Sequence, residues 1–484
     1  MKKWLHTAAA LASVLYGTAQ SHIDTLTING NTFLLKNMSS ELNVMATHTH
    51  EEQAQAHHHE QWAYYLSKPH PSINTLNSYF WQAANEYNVP VDLLRTIAQV
   101  ENNWTQIGPS IDQGWGMMHL VQNSYCNTLH EAALLLNASD IQLKEDAQLN
   151  IRGAAALLRQ YANDANADPQ RIEDWYPYVK KFTGLIDDQL QTIQADRYYS
   201  IMNDGNRSTT LWGETVLLPK RANIDFNYIN QHYKSAAAAE PANDASRSAD
   251  YGPAVASMTT CNFTTGRNHS IDTYVNHWIG TGTAAGAVSW FKNCDADASA
   301  HFIVANNGTI YQSVAVANSA WHCGASGYPY NNGRSIGVEH EATVANPGLW
   351  NSTAMLQASA QMSCYFCSQY GIATNQNHTS PGICGHQNMP GTNTSCPGTI
   401  PWSTWFGYFN TGNCSAQAPA QPANDYCGNA TALTVYGATC GSSVSGDVAG
   451  ATQSAAPTTC DGYASANALD VWYSFVATAA SHTI

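Results

Sequence analysis

Residues 235–249 read Ser-Ala-Ala-Ala-Ala-Glu-Pro-Ala-Asn-Asp-Ala-Ser-Arg-Ser-Ala. Such a stretch has no apolar side chain large enough to anchor a core, and its proline breaks regular structure, so it reads as a linker. A second linker spans 415–424, with Pro419 and Pro422. One continuous core running through both is therefore excluded. The chain has 484 residues, which at roughly 150 residues per domain suggests about three domains. The hydrophobic periodicity changes across the first linker, from helical to alternating, which places different architectures on its two sides.

Before that linker the chain divides again. Lys2 and Lys3, an apolar run from Trp4 to Tyr16, and Gly17-Thr18-Ala19 have the grammar of a signal peptide over 1–20. The expected localisation is secreted. No later stretch reaches the about 18 apolar residues that a membrane span needs. Residues 21–71 are polar and carry His48, His50, His57, His58 and His59. A histidine-rich tract can bind metal, but here it reads as a solvated connector. Residues 72–205 are read as an all-helical domain. Pro90 opens a run in which Val91, Leu94, Ile97 and Val100 recur at helical spacing. Residues 132–136 and 153–158 supply two more core helices.

Residues 250–414 alternate strands and helices. Strands are expected at Tyr274 to Ile279, His301 to Ala305 and Ile336 to His340. Asn306-Asn307-Gly308 turns the second of them into a hairpin with Thr309 to Val316. Ser352 can cap a helix carrying Met355, Met362 and Phe366 that ends near Gly371. The tail, 425–484, is rich in Gly, Ser, Thr and Ala and reads as part of a β-sandwich, truncated at Ile484, with its clearest strand at Val471 to Val476.

Charge narrows the partners. Acids outnumber bases 35 to 20, for a net charge of −15. That argues against nucleic acid, whose binding needs basic surface to displace phosphate counterions. Twelve cysteines in an exported chain suggest disulfides. If Cys396 binds metal, eight remain before residue 419, enough for four pairs. The chemical signal lies between 277 and 398. His277 follows a strand-like run, His386 follows the long helix, and Cys396 lies ten residues on. Two imidazoles and a thiolate can fill three tetrahedral positions around Zn²⁺ and leave the fourth open.

Residues 250–412 resemble the zinc-dependent N-acetylmuramoyl-L-alanine amidases of the type-2 amidase family, which is related to peptidoglycan recognition proteins. The resemblance rests on Asp250-Tyr251-Gly252-Pro253-Ala254, Ala287-Val288-Ser289-Trp290-Phe291 and Ser299-Ala300-His301-Phe302. It continues in Ala320-Trp321-His322-Cys323-Gly324, Ser335 to Glu341, Gly385-His386 and Cys396-Pro397-Gly398. It implies His277, His386 and Cys396 as zinc ligands and peptidoglycan as the substrate. Cysteine as third ligand is similar to the recognition-protein and phage branches. The resemblance also implies Glu339 as the acid that assists the water, and Thr394 as a donor near the developing oxyanion. A tyrosine that some members use corresponds here to Ala300, which puts more of the role on Glu339. Glu341, two residues on, would face the same side of a strand and is the rival base. His301, Trp321 and His322 would line a wall of the cleft.

Residues 88–160 resemble, more loosely, the lysozyme-like fold of lytic transglycosylases. Ala98-Gln99-Val100-Glu101-Asn102 is similar to the helix end that carries that family's catalytic glutamate, and Gly114-Trp115-Gly116-Met117-Met118-His119-Leu120 to its glycine turn. Asn102 and His119 depart from that family's usual serine and glutamine. The expected fold class is thus multidomain: a helical lysozyme-like domain, an α/β amidase domain with a mixed central sheet, and a partial β-sandwich tail. The expected function is zinc-dependent amide hydrolysis in peptidoglycan. The alternatives are a non-catalytic peptidoglycan receptor and a glycan-cleaving enzyme acting through Glu101.

Overall fold

The structure, a computed structural model, describes residues 25–28, 31–34, 60–221, 223–234, 249–267, 269–324, 331–374, 378–392, 394–411, 430–435 and 471–476. The signal-like segment, the five clustered histidines, the linkers (apart from Ala249) and most of the tail lie outside these residues. The chain forms two compact units, Met1–Thr47 and His48–Ile484. In the first, β1 (Thr25–Ile28) and β2 (Asn31–Leu34) pair antiparallel.

The second unit begins with helices. A helix over 60–66, designated α1, buries Trp62, Tyr65 and Leu66, so the polar connector expected over 21–71 ends in packed structure. α2 (Ile73–Tyr87) starts at Ser72, whose side chain accepts from the Thr75 backbone N–H. Its buried Leu76, Phe80, Ala83 and Ala84 form one stripe, as an amphipathic helix requires. α3 (Val91–Asn102) follows Pro90 and buries Leu93, Leu94, Ile97 and Ala98. The region then runs through β3 (Gly114–Trp115), β4 (Leu120–Val121), α4 (Thr128–Leu136), α5 (Asp140–Glu145) and α6 (Ala147–Asp164). It ends with α7 (Tyr176–Phe182), α8 (Asp188–Asp204), β5 (Asn206–Thr209), β6 (Thr215–Leu218) and α9 (Phe226–His232). The region is therefore not all helical. Within 72–205 the exception is the antiparallel β3–β4 hairpin, whose two-residue strands are below the length at which alternation is readable in sequence; the four-residue strands of the antiparallel β5–β6 hairpin lie just past that span.

The remainder is built on a six-stranded sheet in the order β14-β9-β13-β10-β11-β7. The strands are β7 (Val255–Ala256), β9 (Thr273–Asn276), β10 (Phe302–Val304), β11 (Ile310–Gln312), β13 (Ser335–His340) and β14 (Gly382–Gly385). β14, β9, β13 and β10 run parallel, and β11 returns antiparallel to β10 through the expected hairpin. The parallel strands are crossed over by α10 (Ala284–Lys292), α11 (Asn331–Arg334) and α12 (Thr353–Tyr370), and α13 (Trp402–Thr411) closes the region. β8 (Phe263–Thr264) pairs with β12 (Ser319–Ala320) beside the sheet. α12 is capped by Ser352, which accepts from Met355, and stops at Gly371 with φ 66°.

The parallel strands are short and nearly all buried, as covered parallel sheets are. One face presents Tyr274, Phe302, Val304, Ile336, Val338 and Ile383 to Met355, Met362, Phe366 and Trp405. Burying each such side chain contributes about 1.5–3 kcal/mol before entropy. On the opposite face, Ile303 packs with Val288 and Phe291 of α10, and with Leu185 and Leu190 from the helical region. Two parallel strands in the tail, β15 (Thr431–Ala432) and β16 (Tyr473–Ser474), are what the described residues show of the expected sandwich. Among the described residues no helix is long and apolar enough to cross a membrane.

The expectation of four disulfide pairs before residue 419 does not hold. Cys261 is bonded to Cys294, and Cys364 is also disulfide-bonded. Cys126, Cys367 and Cys384 carry free thiols. The Cys384 thiol packs with Val275, Cys323 and Met389 as a small apolar side chain, and burial pushes its pKa up to about 12.

Candidate metal centre and the buried acid at Glu101

His277 is the first residue past β9. Its N–H still bonds to the Val338 carbonyl at 2.8 Å, so the parallel ladder holds its backbone. His386 follows directly on β14, the neighbouring strand. Cys396 comes from the next loop, which is tied back by Gln387 N–H donating to the Cys396 carbonyl at 2.7 Å. The turn after it closes with Gly398 N–H on the Ser395 carbonyl at 2.7 Å. Gly398 has φ +71°, and a Cβ there would meet the Trp278 ring at 2.9 Å, so the turn needs glycine.

One donor atom from each of His277, His386 and Cys396 lies within 4.8 Å of the others, and all three residues are buried. Cys396 Sγ is 3.6 Å from His277 Nδ1. Burial holds the His277 imidazole well below its ordinary pKa, and His386 and His322 add to the effect. A neutral ring offers a lone pair, which is what a metal ligand needs.

Glu339 lies on β13 beside this group, with Oε1 3.9 Å from His277 Nδ1. Burial pushes its carboxyl well above the usual range. With His277 neutral, the contact is not an ion pair. Glu339 Oε2 finds no hydrogen-bond partner among the described residues. An oxygen left so in a buried site is costly unless something else approaches it. Thr394 is half-buried, and its hydroxyl oxygen accepts from Cys396 N–H at 3.1 Å.

Glu341 is not on the face it was expected to share with Glu339. β13 ends at His340, so the two-residue alternation stops before it. The Glu341 carboxylate instead pairs with Arg197 of α8 and accepts from Asn306 N–H at 2.8 Å. His301 does not line an open wall either. It is wholly buried, with Nδ1 accepting from Gly337 N–H at 3.0 Å and Nε2 2.7 Å from Arg267 Nη2. Trp321 is partly exposed, and its indole N–H donates to Thr264 Oγ1 at 3.0 Å. His322 is buried against His277, with Nδ1 2.9 Å from His277 Nε2.

Glu101 sits at the end of α3 as expected, but not in an open cleft. It is 3% exposed. Its Oε1 accepts from Gln194 Nε2 at 2.5 Å and from the Tyr198 hydroxyl, and Oε2 is 3.5 Å from His119 Nδ1. His119 Nε2 in turn lies 2.9 Å from Asp112 Oδ1. The sheet region covers this cluster. Thr281 Oγ1 donates to the Pro109 carbonyl at 2.9 Å, and a Cβ at Gly286 would meet Asp112 Oδ2 at 2.9 Å. A general acid must reach a substrate oxygen, and Glu101 is enclosed. Neither Arg197 nor Gln194 stood out in the sequence, because partners 144 and 93 residues away leave no local signature.

Burial works against charge on His119, but Asp112 and Glu101 outweigh it and raise its pKa to about 9. The ordinary value is 6.5. The stabilisation from the charged ring is therefore complete below about 6.5 and is lost as pH rises through about 9. The melting temperature of the wild type is expected to fall across that window relative to His119→Gln, in parallel melts from pH 6 to pH 10. Parallel curves would remove the charged histidine from this cluster.

Residues 267–399 match the family described as N-acetylmuramoyl-L-alanine amidase. A curated relative, N-acetylmuramoyl-L-alanine amidase A of Achromobacter lyticus, is 30% identical over 179 residues, covering 34% of this chain and 97% of the relative. Among solved structures, a mutant endolysin from Bacillus subtilis matches at 18% identity, covering 32% of this chain and 97% of its own, with a TM-score of 0.27. The amidase LysC from Clostridium intestinale matches at 20% identity, covering 32% and 97%, with a TM-score of 0.23.

Proposed function

Because this chain belongs to the N-acetylmuramoyl-L-alanine amidase family, we propose that it hydrolyses the amide between N-acetylmuramic acid and L-alanine in peptidoglycan, with zinc held by His277, His386 and Cys396. The observation that carries the metal is the convergence of those three buried donors from two adjacent strand ends and one loop. Two imidazoles and one thiol suit zinc by ligand type, and a three-ligand protein set leaves a position open for chemistry. Zinc in such a site supplies Lewis acidity and lowers the pKa of water toward about 7.

The chain's own residues supply the rest. Glu339 takes the proton of the attacking water and delivers it to the leaving alanine nitrogen, as general base and then acid. The Thr394 hydroxyl uses its oxygen to accept from Cys396 N–H, which leaves its proton for the oxyanion of the tetrahedral intermediate. Glycan cleavage through Glu101 has no observation in its favour. The helical region reads as a lysozyme-like frame whose acid has become part of the packing. Export of the protein is supported by the signal-like N-terminus and by the Cys261–Cys294 disulfide, which fits an oxidising compartment.

Mass spectrometry of products from purified peptidoglycan tests this reading. Free stem peptides are expected, lost on chelation and restored by zinc. Products that keep sugar and peptide joined, unchanged by chelator, would refute it.

A further inference from the structure

The His277 ring has two nitrogens, and only the one without a proton can bind a metal. Nδ1 faces Cys396 and Glu339, whereas Nε2 faces away, 2.9 Å from His322 Nδ1. What lies beyond His322 decides which nitrogen keeps its lone pair. His322 Nε2 is 3.0 Å from Ser335 Oγ, and the Ser335 hydroxyl is 2.6 Å from the Asn331 carbonyl. A carbonyl cannot donate, so this end of the chain of contacts cannot turn over. Ser335 therefore gives its one proton to Asn331 and accepts from His322 Nε2–H. His322 Nδ1 is then an acceptor, and His277 donates to it from Nε2. The lone pair of His277 is left on Nδ1, toward Cys396.

We propose that His322 is a positioning residue that, with Ser335 and the Asn331 carbonyl, fixes the tautomer and ring orientation of His277 for zinc. This rests on the zinc reading above and assigns His322 to the metal rather than to the substrate.

The backbone is shaped for this arrangement. Ser335, Gly337 and Glu339 alternate onto one face of β13. A Cβ on Gly337 would meet His322 Cγ at 2.3 Å, so the missing side chain is the space the imidazole occupies. The His322 backbone is held as well, with its N–H donating to Asn332 Oδ1 at 3.0 Å. All four of Asn331, Ser335, His322 and His277 are buried, so water does not compete for these bonds.

The test measures zinc affinity of the full chain by competition with a chelator, using Zn²⁺ alone as the probe. Partners of a ligating histidine are typically worth about 10–100-fold in affinity, so His322→Ala is expected to lose that much. His322→Asn places an amide oxygen near the position of Nδ1 and is expected to recover most of it. Affinity in His322→Ala within about twofold of wild type would overturn the proposal, as would a His322→Asn variant no better than His322→Ala. A wild type that takes up no zinc would sink the metal reading itself, a different failure. Long-range ¹H–¹⁵N spectra of the metal-free wild type give an answer independent of variant folding. The proton of His277 is expected on Nε2, and a proton on Nδ1 would refute the relay.

Discussion

His386→Ala is expected to lose both bound zinc and amide hydrolysis. The reason is the shortage of donors. Among the described residues the cluster holds one imidazole from each of two strand ends and one thiol. Removing His386 leaves two protein ligands, one fewer than the usual minimum for a catalytic zinc site. The substitution should spare the fold, because β14 is held by its ladder with β9 and by Ile383 in the core, not by the imidazole. Metal analysis of the purified variant, with peptidoglycan product analysis on the same sample, checks both losses. Full hydrolysis by a metal-free variant would falsify the assignment of this cluster.

Glu339→Gln is the second large effect, and its contrast with Glu341→Gln is the informative part. General acid–base groups contribute roughly 10²–10⁴-fold, so kcat for Glu339→Gln should drop within that range while zinc stays bound. The amide keeps the size of the side chain but cannot take up a proton. Glu341→Gln should behave in the opposite way. It leaves the Arg197 guanidinium without its carboxylate at the contact between the two regions, so stability falls and turnover per folded molecule is kept. Breaking a buried pair by removing one partner costs about 3–5 kcal/mol, readable in urea titration. Arg197 retains some solvent contact, which places the loss at the lower end. If Glu341→Gln proves to be the variant that stops turnover with stability intact, Glu339 is the wrong carboxylate.

These two glutamates also show how far the sequence could be read. Glu339 lies inside a run whose period of two survives into β13, so its face was readable from its neighbours. Glu341 lies just past the last paired residue, and its orientation is set by Arg197, far away in the chain. The same division holds elsewhere. His277 could be placed at a strand end from the run before it, whereas His386 and Cys396 were singled out through the family resemblance, since the four residues of β14 were not legible as a strand. The role of His322 could not, because it depends on Ser335 and Gly337 coming from a strand that pairs with β9 and β10. The capped helix from Ser352 to Gly371 was legible from its two end residues. The β3–β4 hairpin was not, since two-residue strands carry no measurable alternation. Glu101 is the clearest case. Its place at a helix end was legible, but its enclosure by Gln194, Tyr198 and His119 was not, and the sheet region packs on Pro109 and Asp112 of the same cluster from across a linker that in sequence reads as a break between independent parts.

That enclosure bears on how such an enzyme works along a wall polymer. Two modules on a loose tether search separately, and the second gains from the first through an effective concentration set by tether length. Here Thr281 donates to the Pro109 carbonyl, Tyr125 meets Ser289, Lys292 pairs with Asp187 and Arg197 pairs with Glu341. These contacts join the helical region directly to the sheet region, so the reach of one from the other is set by packing. A glycan strand lying against the helical region would meet the zinc ligands at one set spacing. Were the helical region to hold such a strand, the two regions would act as a fixed-span caliper on it and not as a hook with a trailing blade.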